Sequence, residues 1–172
     1  MLNLNVQSEE DQLKIVSKSG YAIVDIDNPS EVVQLAAINQ NVFAIAWIKV
    51  PTYKAQLAAA SKFGYMIKNI PNSSEEIQLA AVKQSGNSIK YISNPLKTVQ
   101  LEAVKQNGYA IKYINDASEV VKLAAVKQNG LVIFVIKSPS EEIQLAAVKQ
   151  NSYAIKYIRE PSTQAQAQAR KN

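Results

Sequence analysis

The chain has 172 residues, of which 47% are hydrophobic and 19% are charged. This length supports one ordinary domain with its own core, and this composition excludes a disordered chain. The net charge of +5 is uneven, because residues 1–66 carry five Lys against six acids, whereas residues 67–172 carry fourteen Lys and Arg against eight acids. The carboxyl-terminal part is therefore the basic part.

The composition also limits the location and the chemistry of the protein. No apolar run approaches the roughly 18 to 20 residues that span a bilayer, and the first residues lack the basic and apolar regions of a secretory signal. The chain contains no cysteine and no histidine. Disulfides, thiolate nucleophiles, the commonest general base and the commonest zinc ligand are thereby excluded. We expect a cytoplasmic protein that does not enter the membrane.

A leucine recurs in steps of 22 residues, at Leu13, Leu35, Leu57, Leu79, Leu101, Leu123 and Leu145. Seven equally spaced positions without an insertion indicate a structural unit that packs only on copies of itself, as in a solenoid. The repeats, numbered 1 to 7 in chain order, span residues 8–29, 30–51, 52–73, 74–95, 96–117, 118–139 and 140–161.

Each repeat is predicted to contain two short helices. The first begins at an N-cap Ser or Thr, at Ser8, Ser30, Thr52, Ser74, Ser118 and Ser140. It is predicted to end at a glycine in the left-handed conformation of a C-cap, at Gly20, Gly64, Gly86, Gly108 and Gly130. A second helix of about two turns follows, in which Ile111 and Ile114 share a face.

Rows of Leu, Ile and Val from successive repeats are expected to form one continuous core, since helices this short are not stable alone. Residues 162–172 are predicted to form a degenerate capping helix, with Ala165, Ala167 and Arg170 in the apolar slots of the preceding repeat. The sequence therefore predicts an all-α fold, an α-solenoid of about seven two-helix repeats with a carboxyl-terminal cap, in a single domain over residues 1–172.

The core L-A-A-V-K-Q-N-G at Leu123 to Gly130, together with Y-A-I-K-Y-I at Tyr109 to Ile114, resembles the repeats of domain of unknown function 4116. That family occurs in bacterial, protist and viral proteins, and the resemblance covers the chain from about residue 8 to residue 158. It implies helical repeats and an interaction role, including action by a viral or pathogen protein on a host factor. It brings no catalytic residue and no cofactor.

No catalytic, metal-binding or cofactor-binding residue is predicted. Paired acids such as Glu75–Glu76 and Glu141–Glu142 stand at helix starts, where the positive end of the helix explains them. Asp25 and Asp27 lack the spacing of a calcium-binding loop. The sequence also lacks a glycine-rich phosphate loop. We therefore expect no enzyme.

Lysine and glutamine also recur at the repeat spacing. The two lysine rows are Lys83, Lys105, Lys127 and Lys149, and Lys68, Lys90, Lys112 and Lys156. Tyr91, Tyr113 and Tyr157 adjoin the second row, which would suit phosphate contacts and base stacking, although a plain solvated face is the simpler interpretation. The two glutamine rows are predicted to hydrogen bond between repeats or to loop backbones: Gln84, Gln106, Gln128 and Gln150, and Gln34, Gln56, Gln78, Gln100 and Gln144.

Departures from the repeat point to a binding site, because stacking does not require them. Phe43 and Trp47 stand out in repeat 2, Tyr53 replaces a usual Glu, and Phe134 occupies the lysine slot of repeat 6. Such aromatics anchor interfaces when exposed, and packing against a local bend is the alternative. We expect a non-enzymatic scaffold that binds a protein at Phe43, Trp47, Tyr53 and Phe134, with electrostatic support from Lys105, Lys112 and Lys127. Nucleic-acid binding through the Lys and Tyr rows, and sequestration of a small molecule or nucleotide, are the alternative functions.

Overall fold

The computed structural model describes residues 8–171 of the chain. Within this range the regular structure is helical and contains no strand. The described residues group into two compact units, an N-terminal unit that ends at Gln84 and a C-terminal unit that begins at Ser85. Each unit is a stack of helical repeats, which confirms the predicted all-α solenoid, whereas the single domain stays a prediction. Residues 1–7, in which no secretory signal is predicted, and residue 172 of the predicted cap lie outside the described residues.

Every repeat begins with an α-helix of ten residues. These helices are Glu9–Lys18, Glu31–Gln40, Tyr53–Lys62, Glu75–Gln84, Lys97–Gln106, Glu119–Gln128 and Glu141–Gln150. The predicted N-caps are confirmed at Ser8, Ser30, Thr52, Ser74 and Ser140, where the side-chain oxygen accepts the backbone N–H three residues on. Ser118 occupies the N-cap position without that side-chain hydrogen bond.

The second element of each repeat is a 3-10 helix of six residues, or two turns at three residues per turn. These helices are Gly20–Asp25, Val42–Trp47, Gly64–Asn69, Gly86–Tyr91, Gly108–Tyr113, Gly130–Val135 and Ser152–Tyr157. Residues three apart lie one above the other in a 3-10 helix, so Ile111 and the following Ile114 share the buried face, as predicted. Tyr109 and Lys112 share a different, exposed face.

The predicted left-handed glycine caps are wrong. None of the glycines in the described residues has a positive φ, and the residue before Gly108, Asn107, is an extended cap with φ −149°. Glycine is needed for another reason, because the next repeat approaches its Cα closely. A Cβ on Gly108 would lie 2.8 Å from the carbonyl oxygen of Ala125. Positive φ occurs instead in the loops that leave the 3-10 helices, at Asn28, Asn72, Asn94, Asp116 and Ser138.

Each glycine pairs with a glutamine 20 residues later, in the α-helix of the next repeat. The backbone N–H donates to the glutamine Oε1 in the pairs Gly20–Gln40, Gly64–Gln84, Gly86–Gln106, Gly108–Gln128 and Gly130–Gln150. Repeat 2 has Val42 at the glycine position, and the following repeat 3 has Lys62 at the glutamine position. The Nζ of Lys62 donates instead to the carbonyls of Ile38 and Asn39, at 3.3 and 2.6 Å.

The other glutamine row ties the loops to the α-helices. Gln34 donates from Nε2 to the carbonyl of Pro29 at 3.0 Å, and its Oε1 accepts the backbone N–H of Thr52 in the next repeat at 2.9 Å. The same donation to the residue five positions earlier occurs at Gln56, Gln78, Gln100, Gln144 and Gln166. The predicted structural role of both glutamine rows is confirmed.

Within each unit the α-helices pack on one another and the 3-10 helices pack on one another, so that two layers enclose the core. Ile and Val side chains fill this core as expected, but the inclusion of the leucine row is wrong. Leu145 is half-buried, whereas Ile143 and Val148 beside it are buried. The whole leucine row is half-buried in this way, on the outer side of the α-helix layer.

The last described element is the α-helix Thr163–Ala169, which confirms the predicted capping helix. Ala165 is fully buried, so its slot continues the core of the preceding repeat. Ala167 and Arg170 are exposed, unlike Ala165. Among the described residues, no helix combines the length and the apolar character that crossing a membrane requires.

Candidate binding surfaces

The N-terminal aromatic surface is formed by aromatic side chains on the 3-10 helices of repeats 1 to 3 and on the residue that precedes the third of these helices. We define it as Tyr21, Phe43, Trp47, Phe63 and Tyr65. The Trp47 ring meets the Tyr21 ring edge to face, with centroids 5.3 Å apart. The Phe43 and Phe63 rings are 5.9 Å apart, and the Phe63 and Tyr65 rings are 5.5 Å apart. Phe43 is 53% exposed and Trp47 is 46% exposed. Tyr21 therefore supports Trp47, and Phe63 supports Phe43, while Trp47 and Phe43 offer about half of their area to solvent.

Tyr53 belongs to a different layer. It is the first residue of the α-helix of repeat 3, and its hydroxyl hydrogen bonds to the carboxylate of Glu76 in the next α-helix. This hydrogen bond raises the pKa of the Tyr53 hydroxyl above its ordinary value. Tyr53 is also exposed, but the structure gives it a link between α-helices rather than a place in the N-terminal aromatic surface.

Phe134 lies among aromatic rings of the neighbouring repeats. Its ring centroid is 6.2 Å from that of Tyr109 in repeat 5 and 6.2 Å from that of Tyr157 in repeat 7. Phe134 remains 54% exposed, so the lysine slot does face solvent, and Tyr157 is 56% exposed. Phe134 thus bridges two repeats at a position that lysine occupies in repeats 3, 4, 5 and 7.

The three predicted lysines are all exposed but do not share one surface. Lys112 lies in the 3-10 helix of repeat 5, with its Nζ 4.7 Å from the centroid of the Tyr113 ring. Lys105 and Lys127 lie in the last turns of the α-helices of repeats 5 and 6. The structure therefore places Lys112 in the same layer as Phe134 and places Lys105 and Lys127 in the other layer.

The half-buried leucines of the α-helix layer line shallow grooves. One groove of about 510 Å³ in the C-terminal unit has Leu123, Leu145 and Ala146 along its floor and Lys127 and Lys149 beside it. An equivalent groove of about 500 Å³ in the N-terminal unit includes Leu57 and Leu79. Because the same groove recurs with the repeat, it reflects the packing of the α-helices and singles out no ligand. Within residues 8–171, no group of three or more acidic side chains could hold a metal ion.

The glycine-to-glutamine contact, the glutamine-to-loop bond and the paired helices all recur in the two repeats over residues 74–117. Residues 74–117 match the family model described as Domain of unknown function (DUF4116). The match covers repeats 4 and 5 in full, and the predicted resemblance is confirmed there. No curated protein and no solved structure gave a significant match to the chain. The DUF4116 description assigns no activity and no ligand to these repeats.

Sequence reasoning missed the partners of the deviant aromatics. Tyr21, Tyr65, Tyr109 and Tyr153 occupy the same position as Phe43 in their own repeats, at steps of 22 residues or multiples of it. This recurrence was a usable signal, because residues at one repeat position form a row in a solenoid. Tyr109 and Tyr21 contact Phe134 and Trp47 from the neighbouring repeat. The unusual aromatics thus join a row of regular ones.

Proposed function

We propose that this protein is a non-enzymatic repeat scaffold that binds another protein through the N-terminal aromatic surface. The observation that carries the proposal is the exposure of Trp47 together with its edge-to-face contact with Tyr21. Large aromatic side chains that are fixed before binding lose little conformational entropy in a complex, and they dominate the binding energy of many interfaces. The absence of cysteine supports a cytoplasmic location as part of the same proposal.

The charge of this surface supports a protein partner. The 3-10 helix of repeat 2, Val42–Trp47, contains no charged residue, and the 3-10 helices of repeats 1 and 3 contribute only Asp25 and Lys68. The centre of a protein interface is typically depleted in charge and enriched in aromatic residues. A nucleic acid would need cations at this position, and repeat 2 has Ala46 where repeats 3, 4, 5 and 7 have lysine.

Trp47 provides a direct assay because it is the single tryptophan of the chain. A partner recovered from the source cells with the tagged full-length chain should shift the Trp47 emission to shorter wavelength when it is titrated in, since binding removes water from the indole. Trp47→Ala should weaken that partner by about 30-fold or more, the loss expected of an interface anchor of about 2 kcal/mol.

The matched control is Val32→Ala. Val32 has a similar exposure, 55%, and lies in the α-helix of the same repeat. This variant should keep the affinity of the parent protein within about twofold, since it lies outside the proposed interface. If Trp47→Ala folds normally and binds as the control does, or if the emission does not move when the complex forms, the N-terminal aromatic surface is not the interface.

A further inference from the structure

A second surface, of different chemistry, lies on the 3-10 helices of the C-terminal unit. We define the C-terminal Lys–Tyr surface as Lys90, Tyr91, Tyr109, Lys112, Tyr113, Phe134, Tyr153, Lys156 and Tyr157. Three of its rings form a chain, because the Phe134 centroid lies 6.2 Å from those of both Tyr109 and Tyr157. Tyr153 is 64% exposed and is among the most exposed aromatics of the described residues.

The lysines of this surface lie over the rings. Lys90 Nζ is 4.8 Å from the Tyr91 ring centroid and 6.0 Å from the Tyr113 centroid of the next repeat. Lys112 and Lys156 lie 4.7 and 4.8 Å from tyrosine centroids in the same way. These are cation–π distances, which hold a cation beside the rings of Tyr91, Tyr113 and Tyr153. The surface therefore presents positive charge and planar rings side by side.

Acidic residues are absent from the sequences of the four 3-10 helices, GNSIKY, GYAIKY, GLVIFV and SYAIKY. Residues 85–172 as a whole carry twelve Lys and Arg against six Asp and Glu, a net charge of +6. An anionic partner would meet attraction over this whole row of helices. The N-terminal aromatic surface has no comparable excess of positive charge, so we expect the two surfaces to bind different ligands.

The periodicity of the surface indicates what kind of anion fits. A lysine and a following tyrosine recur at Lys90–Tyr91, Lys112–Tyr113 and Lys156–Tyr157, one cation and one ring in each of these repeats. A single-stranded nucleic acid is a polymer with one anion and one planar base in each nucleotide, and proteins bind it by phosphate contacts and base stacking. An acidic peptide would match the charges but would give the rings no planar partner. A duplex would keep its bases stacked inside.

We propose that the C-terminal Lys–Tyr surface binds single-stranded nucleic acid, with lysines on phosphates and aromatic rings on bases. This activity is separate from the proposed protein binding, because it uses different residues on the other unit. Repeat 6 contributes to it by stacking alone, since Phe134 replaces the lysine and Val135 replaces the tyrosine.

Fluorescence anisotropy with a labelled oligothymidylate of about 12 nucleotides tests the proposal on the full chain. Binding should weaken steeply with salt. The triple variant Lys90→Gln, Lys112→Gln and Lys156→Gln should flatten the slope of log K against log salt by about 2, because each phosphate that is no longer neutralised removes about 0.7 from the slope. The triple variant Lys105→Gln, Lys127→Gln and Lys149→Gln is the matched control. It removes the same charge from the α-helix layer and should keep the slope.

The stacking half of the proposal has its own variants. Tyr157→Ala should weaken binding about fivefold or more, whereas Tyr157→Phe, which keeps the ring, should stay within about twofold of the parent protein. Phe134→Lys introduces the residue that repeats 3, 4, 5 and 7 carry at this position, so the fold accommodates it. This variant should steepen the salt slope by about 0.7, since it neutralises one more phosphate. Circular dichroism and thermal melting establish that each variant is folded.

Three results would overturn the proposal. The first is an equal loss of slope in both lysine variants, which would indicate diffuse attraction. The second is a polyglutamate peptide of the same length that binds as tightly as the oligothymidylate, which would indicate an acidic protein partner. The third is no binding of the oligothymidylate at low salt. None of these results concerns Trp47, so the proposed protein binding is tested independently.

Discussion

The contact between Gly108 and repeat 6 should tolerate no side chain. A Cβ built on Gly108 lies 2.8 Å from the Ala125 carbonyl oxygen and 2.8 Å from Gln128 Oε1. The carbonyl belongs to the backbone and cannot rotate away, so Gly108→Ala would have to push repeats 5 and 6 apart by about 0.6 Å to restore an ordinary contact of 3.4 Å. The same shift would weaken the hydrogen bond from the Gly108 N–H to Gln128, now 2.8 Å long.

The cost of Gly108→Ala follows from these two effects. Overpacking costs about 1 to 3 kcal/mol, and loss of a hydrogen bond costs about 0.5 to 1.5 kcal/mol. The substitution also stabilises the folded state by up to about 1 kcal/mol, because glycine loses more backbone entropy on folding than alanine does. We therefore expect the free energy of unfolding to fall by about 0.5 to 4.5 kcal/mol.

Urea unfolding followed by circular dichroism measures this change. At an m-value of about 2 kcal/mol per M, the midpoint should fall by about 0.3 to 2.2 M urea. Ser152→Ala is the control, because Ser152 occupies the glycine position of repeat 7 and already carries a Cβ. It should change stability by less than about 0.5 kcal/mol. An unchanged midpoint for Gly108→Ala, or an equal loss for Ser152→Ala, would refute the close-contact explanation.

Three further predictions concern other parts of the chain. Ser88 is fully buried and its hydroxyl has no hydrogen-bond partner in the structure, so Ser88→Ala should leave the urea midpoint unchanged or raise stability by up to about 1 kcal/mol; a clear loss would reveal a hidden partner. The pKa of Tyr53 is raised by its hydrogen bond to Glu76, so the bond stabilises the fold at neutral pH and is lost only as pH rises through that raised pKa. Glu76→Gln should therefore lower the pKa in a tyrosinate absorbance titration, with Tyr53→Phe identifying the transition. Deletion of residues 164–172 removes the buried Ala165 and should uncover the core of repeat 7, so that the truncated protein associates in light scattering. A monomeric truncated protein of equal stability would contradict a capping role.

Most of the architecture could be predicted from spacing, and the limits of that prediction have physical causes. The 22-residue period predicts where each α-helix begins, and a Ser or Thr cap, which acts locally, marks that start in every repeat except repeat 5, where the cap residue is Leu96. The role of Gly108 could not be read from its own repeat, because its requirement comes from Ala125 in the next one. The sequence does carry a pairwise signal for this contact, since every glycine precedes a glutamine by 20 residues.

How deeply the residues of each row are buried was harder to predict than the recurrence of the row. Leu145 and Val148 are both apolar and both recur in every complete repeat or nearly so, yet only Val148 is buried. Which side of the α-helix faces the 3-10 layer depends on packing between repeats. For the binding surfaces, Phe134 and Trp47 were found because they break the pattern. Their partners Tyr109 and Tyr21 were missed because they conform to it.

The pairing of each glycine with a glutamine of the following repeat also constrains how such an array can lengthen. A tandem duplication of repeat 4, 5 or 6 places a glycine opposite a glutamine at the new junction, so no compensating change is needed. A second copy of repeat 2 would instead bring Val42 against Gln40 of the copy, a combination that occurs at no junction of the described residues. Unequal recombination is therefore expected to add repeats readily in the carboxyl-terminal half, whereas Val42 and Lys62 would have to be inherited together.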